Sequence, residues 1–557
     1  MPLSHEGWAH CVTSDLVTWT FAGGGAVSGL RMESGGMIFD QTRNETVAFA
    51  DSPTNAFTSA DPTLLGKFES VGVLFSPKDP MNPGGAKGGK EMGCWDPVMW
   101  RDERSALFYA ASACGHCDPG DQPYQNGSGI HCSGGEGLEV YWSSPAISGA
   151  GMNWTLRPNV FLEEKQSAVP RVGSWPRPHE FVTPDYFAIP PAAANTGAGG
   201  GGSTATEKYG FLTTSYGDMR WTGLPTTPQT AGLCYDYANC YIGDRPSPGG
   251  TFAPDLAMSA PFDWSPFRPV NDPASKNLTF ATTKGMEQFG CCPKTAGDNQ
   301  RRVLFGWLNN GWNQGGSKAQ PGLPNNTLTL PRDLTATARG QLRQRFVPEL
   351  QKLREAHTHV VAQALPGGGI GQAKLIGGDA AGLQLEIIAR FKKTPARSTG
   401  GKDNGGGKFG LVVLASADKS ERTAVTFDPA REQLLLDRSQ SGAAGDCDVR
   451  GGPWPQGDGN AAGVGETVTV HIYVDHQVVE LISFREARED GNASAVSSGG
   501  DSDSDAAAVE STAISAWVQP TSTASDGVGV WAEAAGGWAL ESMDVWQLKA
   551  PTHSERI

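Results

Sequence analysis

Trp8-Ala-His-Cys-Val-Thr-Ser-Asp-Leu-Val-Thr-Trp19 alternates along its first half, turns at Ser14-Asp15 and closes on a second tryptophan. Period-two alternation that runs into a Ser-Asp turn reads as a strand entering a hairpin. The pattern partly recurs at 138–154, where Leu-Glu-Val-Tyr-Trp-Ser-Ser leads through a glycine-rich turn to Asn153-Trp154. Further strand, turn, strand units run from Val98 to Ala111 around Arg101-Asp-Glu-Arg104, from Asp185 to Thr214, and from Lys294 to Leu308 around Gly297-Asp-Asn-Gln300. Loosely repeated hairpins every few tens of residues suggest the blades of a propeller.

Composition agrees. Glycine (73) and proline (38) make up about a fifth of the chain, and 16 tryptophans favour a turn-rich all-β protein with aromatic-lined clefts. At 557 residues the chain is long enough for two or more domains. Beyond Leu323–Leu334 the texture changes to evenly spaced strands: 383–391, 409–416, 423–428, 433–437, 467–482, 513–519, 527–531 and 542–549. That count and spacing predict a β-sandwich. Between the two parts, Leu350, Leu353, Val360, Val361 and Leu365 recur at roughly helical spacing and predict a linker helix over 347–365. The expected division is a propeller over 1–335, a linker with helix over 336–365 and a sandwich over 366–557. Low-complexity stretches at 190–206, 395–408 and 488–510 read as loops inserted in this frame.

A net charge of -15 and a pI near 5.2 argue against a nucleic-acid partner, whose binding rests on Lys and Arg neutralising phosphates. No run approaches the ~20 apolar residues of a membrane span, so no membrane partner is expected. Ten cysteines and six Asn-x-Ser/Thr sequons, at Asn44, Asn126, Asn153, Asn277, Asn325 and Asn492, point to a secreted or vacuolar location, although Met1–Glu6 lead into strand without a signal segment. Cys114-Gly-His-Cys117 lies in a glycine- and proline-rich loop with Cys132 nearby and reads as a structural disulfide site rather than a redox centre. His357-Thr-His359 has no acidic or Cys partner at ligand spacing and reads as a solvated helix face. No metal or cofactor is expected, and the oligomeric state is left open.

Two carboxylates stand out as chemistry. Glu180, in Gly173-Ser-Trp-Pro-Arg-Pro-His-Glu-Phe-Val-Thr-Pro-Asp-Tyr-Phe187, sits among Trp175, Pro176, Pro178, His179 and Phe181. Apolar surroundings disfavour the charged form of a carboxyl and suit it to general acid catalysis. Asp96, in Met92-Gly-Cys-Trp-Asp-Pro-Val-Met-Trp100, precedes a proline that bends the chain at the mouth of a strand. Glycosidases work with a pair of carboxylates flanking the scissile bond.

In combination these segments resemble glycoside hydrolase family 32, the invertases, inulinases and fructan enzymes. Trp8–Trp19 is similar to the family's Trp-Gly-His segment, Trp95-Asp96-Pro97 to its Arg-Asp-Pro motif, and Glu180–Phe187 to its Glu-Cys-Pro-Asp motif. Arg301–Trp307, Leu328–Leu334 and Tyr473–Leu481 follow the order of later family segments. The resemblance implies a five-bladed β-propeller followed by a β-sandwich, and cleavage of the β-fructofuranosidic bond of sucrose or fructans with retention. It makes Glu180 the acid/base and Asp96 the transition-state stabiliser, with Ser34, Trp95 and Asp185 as substrate-binding residues.

Three departures modify what it implies. The family nucleophile lies in an Asn-Asp-Pro-Asn-Gly motif upstream of the Trp-Gly-His segment, whereas seven residues precede Trp8 and the motif occurs nowhere in the 557 residues. A chain without it is expected to be catalytically crippled, since acid/base catalysis does not replace the covalent step. Trp95 stands where the motif has Arg, which exchanges a bidentate donor for a stacking surface. Glu180 and Asp185 are five residues apart rather than three, so two extra residues must bulge. The alternatives are a non-catalytic carbohydrate-binding protein of the same fold and a fructosyltransferase.

Overall fold

The computed structural model describes residues 9–24, 35–50, 54–61, 68–75, 94–116, 123–126, 129–132, 136–149, 151–158, 161–163, 180–190, 207–216, 237–254, 260–263, 291–297, 300–309, 326–336, 342–394, 407–430, 433–442, 449–453, 467–485, 511–518, 520–534 and 536–549. Strands dominate them, and the helical elements among them are three short 3-10 turns, Pro348–Leu353, Ile370–Gln372 and Gly378–Ala380. None of the described helices is long and apolar enough to cross a membrane.

The chain opens with the hairpin Ala9–Val12 and Thr20–Gly24. Asp15 shapes its connection by accepting hydrogen bonds from the backbone N–H groups of Val17 (3.1 Å) and Thr18 (2.8 Å), with Leu16 left-handed at φ 58°. Gly35–Asp40, Glu45–Ala50, Thr54–Ser59 and Glu69–Phe75 follow as a meander. Two further meanders share a nine-stranded sheet: one starts with Cys94–Asp102, Leu107–His116 and Glu136–Ser144, the other with Glu180–Ile189, Lys208–Tyr216 and Tyr237–Asp244. A last sheet is built on Cys291–Gly297, Arg302–Asn309, Arg332–Ala336 and Leu342–Phe346. Strands that pair in sequence order, unit after unit, form the five blades of a propeller. Interleaved apolar faces bury the space between blades: Val47, Phe49 and Ala56 meet Met99, Phe108 and Trp142, while Phe187, Ile189 and Leu212 meet Leu304 and Leu334.

Two six-stranded antiparallel sheets make the sandwich. Their inward residues form one core, with Leu385, Ile387, Ala389 and Phe391 from one sheet against Leu411, Val413, Val425 and Phe427 from the other. Each large aliphatic or aromatic side chain buried there contributes about 1.5–3 kcal/mol.

The predicted linker helix is not formed. Pro348–Leu353 is a six-residue 3-10 turn, and Arg354–Ala364 is a strand paired along Trp538–Leu548 at the edge of one sandwich sheet. The run Thr358, Val360, Val361 is β-branched, which disfavours a helix, and the neighbouring strand offers those backbone groups a complete ladder. The apparent helical period came from joining Leu350, which anchors the turn, to Val360 and Val361 on the two faces of a strand.

Propeller and sandwich meet through a mixed apolar and ionic seam. Val303, Phe346, Val347 and Leu350 pack against Tyr473, Ile482 and Ala513, with Leu16 and Val17 of the first hairpin alongside. Arg332 is fully buried and pairs with Glu480 at 2.9 Å, and the Glu480 carboxylate also accepts from the Leu330 N–H at 2.7 Å and the Ser515 hydroxyl at 3.2 Å. Arg301 forks between Asp333 (2.7 Å) and Glu349 (2.6 Å). Behind this seam, Arg354 makes two 2.7 Å bonds to the buried Glu386, which also meets His471 Nε2 at 2.7 Å. Burial pushes the Glu386 carboxyl up, but the bonds from Arg354 and His471 outweigh it and hold its pKa at about 2.

Candidate active site

The site residues read from the sequence fall at one end of neighbouring strands. Leu107–His116 is lined along one edge by Glu136–Ser144; on its other edge Cys94 faces Cys114, and Glu180 faces Gly115. The strand carrying Asp96 and the strand opened by Glu180 therefore converge on consecutive residues of a third strand. Among the described residues this is the single register position that joins the two meanders of the nine-stranded sheet.

Proline bulges shape this end. Trp95 faces Ala113 but Val98 faces Ala111, so Asp96-Pro97 adds one residue to the strand. Val182 faces Thr214 and Asp185 faces Leu212, so Thr183-Pro184 adds one in the next blade. Cys291 faces Trp307 and Lys294 faces Phe305, so Cys292-Pro293 repeats the device in the last blade. Proline has no N–H for the ladder and is tolerated where a bulge interrupts it, and the extra residue bends the strand and increases its twist. Thr183 takes the cost in its backbone, with φ 53° for a buried β-branched residue.

The bulge also explains the unusual motif spacing. Residues five apart on a regular strand lie on opposite faces. Here Glu180 and Asp185 face Tyr216 and Leu212, four apart, and so occupy register positions on the same face. One inserted residue, not two, accommodates the longer motif.

Asp185 is held from the next blade. Its Oδ2 accepts from the Thr295 N–H (2.6 Å) and the Thr295 hydroxyl (2.7 Å), while Lys294 Nζ donates to the Pro184 carbonyl at 2.6 Å. Burial, then the Asp185 charge, push the neighbouring Cys240 thiol up, so it remains protonated and inert. These contacts join two blades across two successive bulges. The structure places Trp95, Asp96 and Glu180 by backbone and register; Ser34, Gly173–His179 and Cys117 lie outside the described residues.

Sequence reasoning missed two arrangements. His357 and His359, expected on a solvated helix face without an acidic partner, are two apart on the Arg354–Ala364 strand and share Asp544 Oδ1 at 2.9 and 2.7 Å. Strand periodicity would have paired them, but the helix assignment hid it. His357 also stacks on Trp546 at 4.7 Å, and none of the described residues form a group of three or more His, Cys, Asp or Glu arranged to hold a metal ion. The second is the cross-blade pin made by Lys294 and Thr295, for which local sequence offers no signal.

Residues 349–482 match the model of the glycosyl hydrolases family 32 C-terminal domain. Over these residues the chain is similar to the C-terminal domain of glycosyl hydrolase family 32. The whole chain shares its fold with solved structures. β-Fructofuranosidase of Aspergillus kawachii aligns with a TM-score of 0.68 at 15% identity, over 99% of this chain and 90% of that one. Fructosyltransferase from A. japonicus aligns at 0.66 and 16% over 99% and 90%. Fructan 1-exohydrolase IIa from Cichorium intybus, in complex with 1-kestose, aligns at 0.63 and 16% over 99% and 91%. At such identities the likeness carries the fold. No curated protein sequence matches the chain.

Proposed function

We propose that this chain is a member of glycosyl hydrolase family 32, built to cleave the β-fructofuranosidic bond of sucrose or a fructan with retention, with Glu180 as acid/base and Asp96 as transition-state stabiliser. The observation that carries the reading is the convergence of the Asp96 and Glu180 strands on Cys114 and Gly115 through two proline bulges. The solved structures of like fold support the substrate class, since they include a β-fructofuranosidase and a fructan exohydrolase holding 1-kestose. In this scheme Glu180 gives its proton to the leaving oxygen and then takes one from water. Asp96 holds fructosyl hydroxyls as positive charge develops at the anomeric carbon. Asp185, anchored by Thr295, borders the same face and positions the sugar.

Retention requires a third carboxylate about 5 Å from the acid/base to attack the anomeric carbon. The 557 residues contain no Asn-Asp-Pro-Asn-Gly, so taken alone they hold the acid/base half of the pair. That, with Trp95 in place of the motif Arg, favours a second reading: a protein of this fold that binds a fructoside without cleaving it. The fructosyltransferase alternative shares the site and differs in whether sugar or water completes the second step. Ten cysteines and six sequons support a secreted or vacuolar setting for any of these.

The test assays sucrose and 1-kestose against the 557 residues, both alone and joined to any coding sequence that precedes Met1. Turnover that appears only with the preceding sequence, and releases fructose rather than longer oligosaccharides, supports the hydrolase. Binding of 1-kestose without turnover in either form supports the binding protein, and oligosaccharide products support the transferase.

A further inference from the structure

The strands that bring Asp96 and Glu180 together also frame a cavity at their other ends. It has a volume of about 180 Å³ and lies beside Trp100–Glu103, Tyr186–Ala188 and Tyr209, with the 245–250 loop across it. Trp100 and Asp102 are four and six residues from Asp96, and Tyr186 is six from Glu180. At about 3.3 Å per residue the cavity is roughly 13–20 Å from the catalytic end.

Three features define what it can hold. First, the Tyr186 hydroxyl lines the cavity on a residue 8% exposed, and none of the described residues hydrogen bonds to it. Tyr186 is locked by its ring contacts, 4.8 Å from Trp100 and 5.5 Å from Tyr209, so the hydroxyl cannot turn away to find a partner. The hydroxyl opens onto the cavity, where a ligand hydroxyl can take the place of water as its hydrogen-bond partner. Burial pushes its pKa up, so it stays a donor.

Second, charge in the lining cancels: Arg101, Arg245 and Arg302 oppose Asp102, Glu103 and Glu207. With Arg104 paired to Asp102 at 2.7 Å the mixed wall keeps only a small net charge, so a charged ligand gains little from it. Third, donor and acceptor stand side by side. Arg245 lies 3.7 Å from Asp102 and over the Tyr209 ring at 5.5 Å. Burial pushes the Asp102 carboxyl up, but Arg104, the Ser105 N–H and Arg245 outweigh it and keep it ionised. The Arg245 guanidinium fork can donate to both oxygens of a vicinal diol, while Asp102, already accepting from Arg104 at 2.7 Å, orients it from beside. Near-neutrality, paired polar groups and an aromatic wall fit a hydroxylated ring, and the volume limits it to one.

We propose that this cavity is a non-catalytic binding site for a single neutral saccharide unit. The site is separate from the catalytic end and stands whether or not the chain hydrolyses fructosides. An unbranched chain end or a free monosaccharide could both supply the ring.

Hydrogen exchange on the full chain, with fructose, sucrose or 1-kestose as probe, reads the site directly. With Glu180→Gln in place to stop turnover, each sugar that binds should protect the backbone at 102–103 and 247–250. Tyr186→Phe should weaken that protection about 5- to 10-fold, the loss of one hydrogen bond of about 1–1.5 kcal/mol. Arg245→Ala should abolish it, with melting temperature recorded to confirm folding, and neither variant should alter turnover where turnover is present. Protection by fructose but not by 1-kestose would identify a free monosaccharide as the ligand, and protection by 1-kestose a chain end; both support the site. The proposal fails if no sugar protects these segments at up to ~100 mM. It also fails if folded Tyr186→Phe and Arg245→Ala respond as the parent does, or if citrate protects and the sugars do not.

Discussion

The ordered motifs of this chain divide between two places with opposite character. At the seam between propeller and sandwich, Arg301, Arg332, Asp333 and Glu480 come from three separate motif segments and bond to one another or to close neighbours. At the Cys114–Gly115 end, Asp96 and Glu180 are delivered by bulges whose prolines break the ladder. The first group is locked by mutual pairing, which suits structure. The second lies where strands bend away from regular pairing, which suits a site that must admit a substrate. Similar motif strength therefore hides two roles, and substitutions should separate them.

The largest effect is expected at the catalytic end. In a form of the chain that turns over sucrose, Glu180→Gln should lower kcat roughly 10²- to 10⁴-fold, with little change in melting temperature. Steady-state kinetics beside thermal unfolding checks both halves of that statement. At the seam the order reverses. Arg332→Ala leaves Glu480 buried without its cation and should destabilise the fold by about 3–5 kcal/mol, read as a lower midpoint in urea, while folded molecules keep their kcat. A double variant, Arg332→Met with Glu480→Leu, should regain much of that stability, because the uncompensated charge is gone.

Acid sharpens the same contrast. The folded pKa of Glu386, about 2, lies below its ordinary 4.5. Its contribution is complete above pH ~4.5 and is lost as pH falls from there through about 2. The stability involved is on the order of 3 kcal/mol. Glu386→Gln should flatten unfolding free energy against pH in that window. The smallest effect is at the pin between blades. Thr295→Val removes one of two bonds to Asp185, for about 1 kcal/mol, and should raise the KM for sucrose more than it lowers kcat.

The sequence made the all-β architecture legible because alternation and turn residues are local signals. Trp8–Trp19 and the evenly spaced strands after residue 383 needed no tertiary information. The 347–365 segment misled because helical spacing was assembled from a 3-10 turn and an edge strand, and the pairing with Trp538–Leu548 lies almost two hundred residues away. The same error concealed the His357, His359 and Asp544 cluster. Proline marked the bulges in advance at Asp96-Pro97 and Thr183-Pro184, and the motif spacing required one at the second. That those bulges converge on adjacent residues of one strand is a matter of sheet topology. So is the cavity at the far end, whose lining gathers residues of five strands and the 245–250 loop.

The most direct test of the division between the two motif groups is turnover by Glu180→Gln, in a form of the chain that turns over sucrose, of sucrose and of an activated fructoside whose leaving group needs no proton, each with and without azide and with melting temperature measured on the same samples. Azide is an anion that attacks without a base, so it bypasses the second task of the acid/base. The expected result is an unchanged melting temperature, kcat on sucrose down by at least about 10²-fold with or without azide, and recovery in azide on the activated fructoside with a fructosyl azide product. Near-parent turnover of sucrose, or a loss that tracks a fall in melting temperature and ignores azide on the activated fructoside, would contradict the assignment of Glu180 to chemistry.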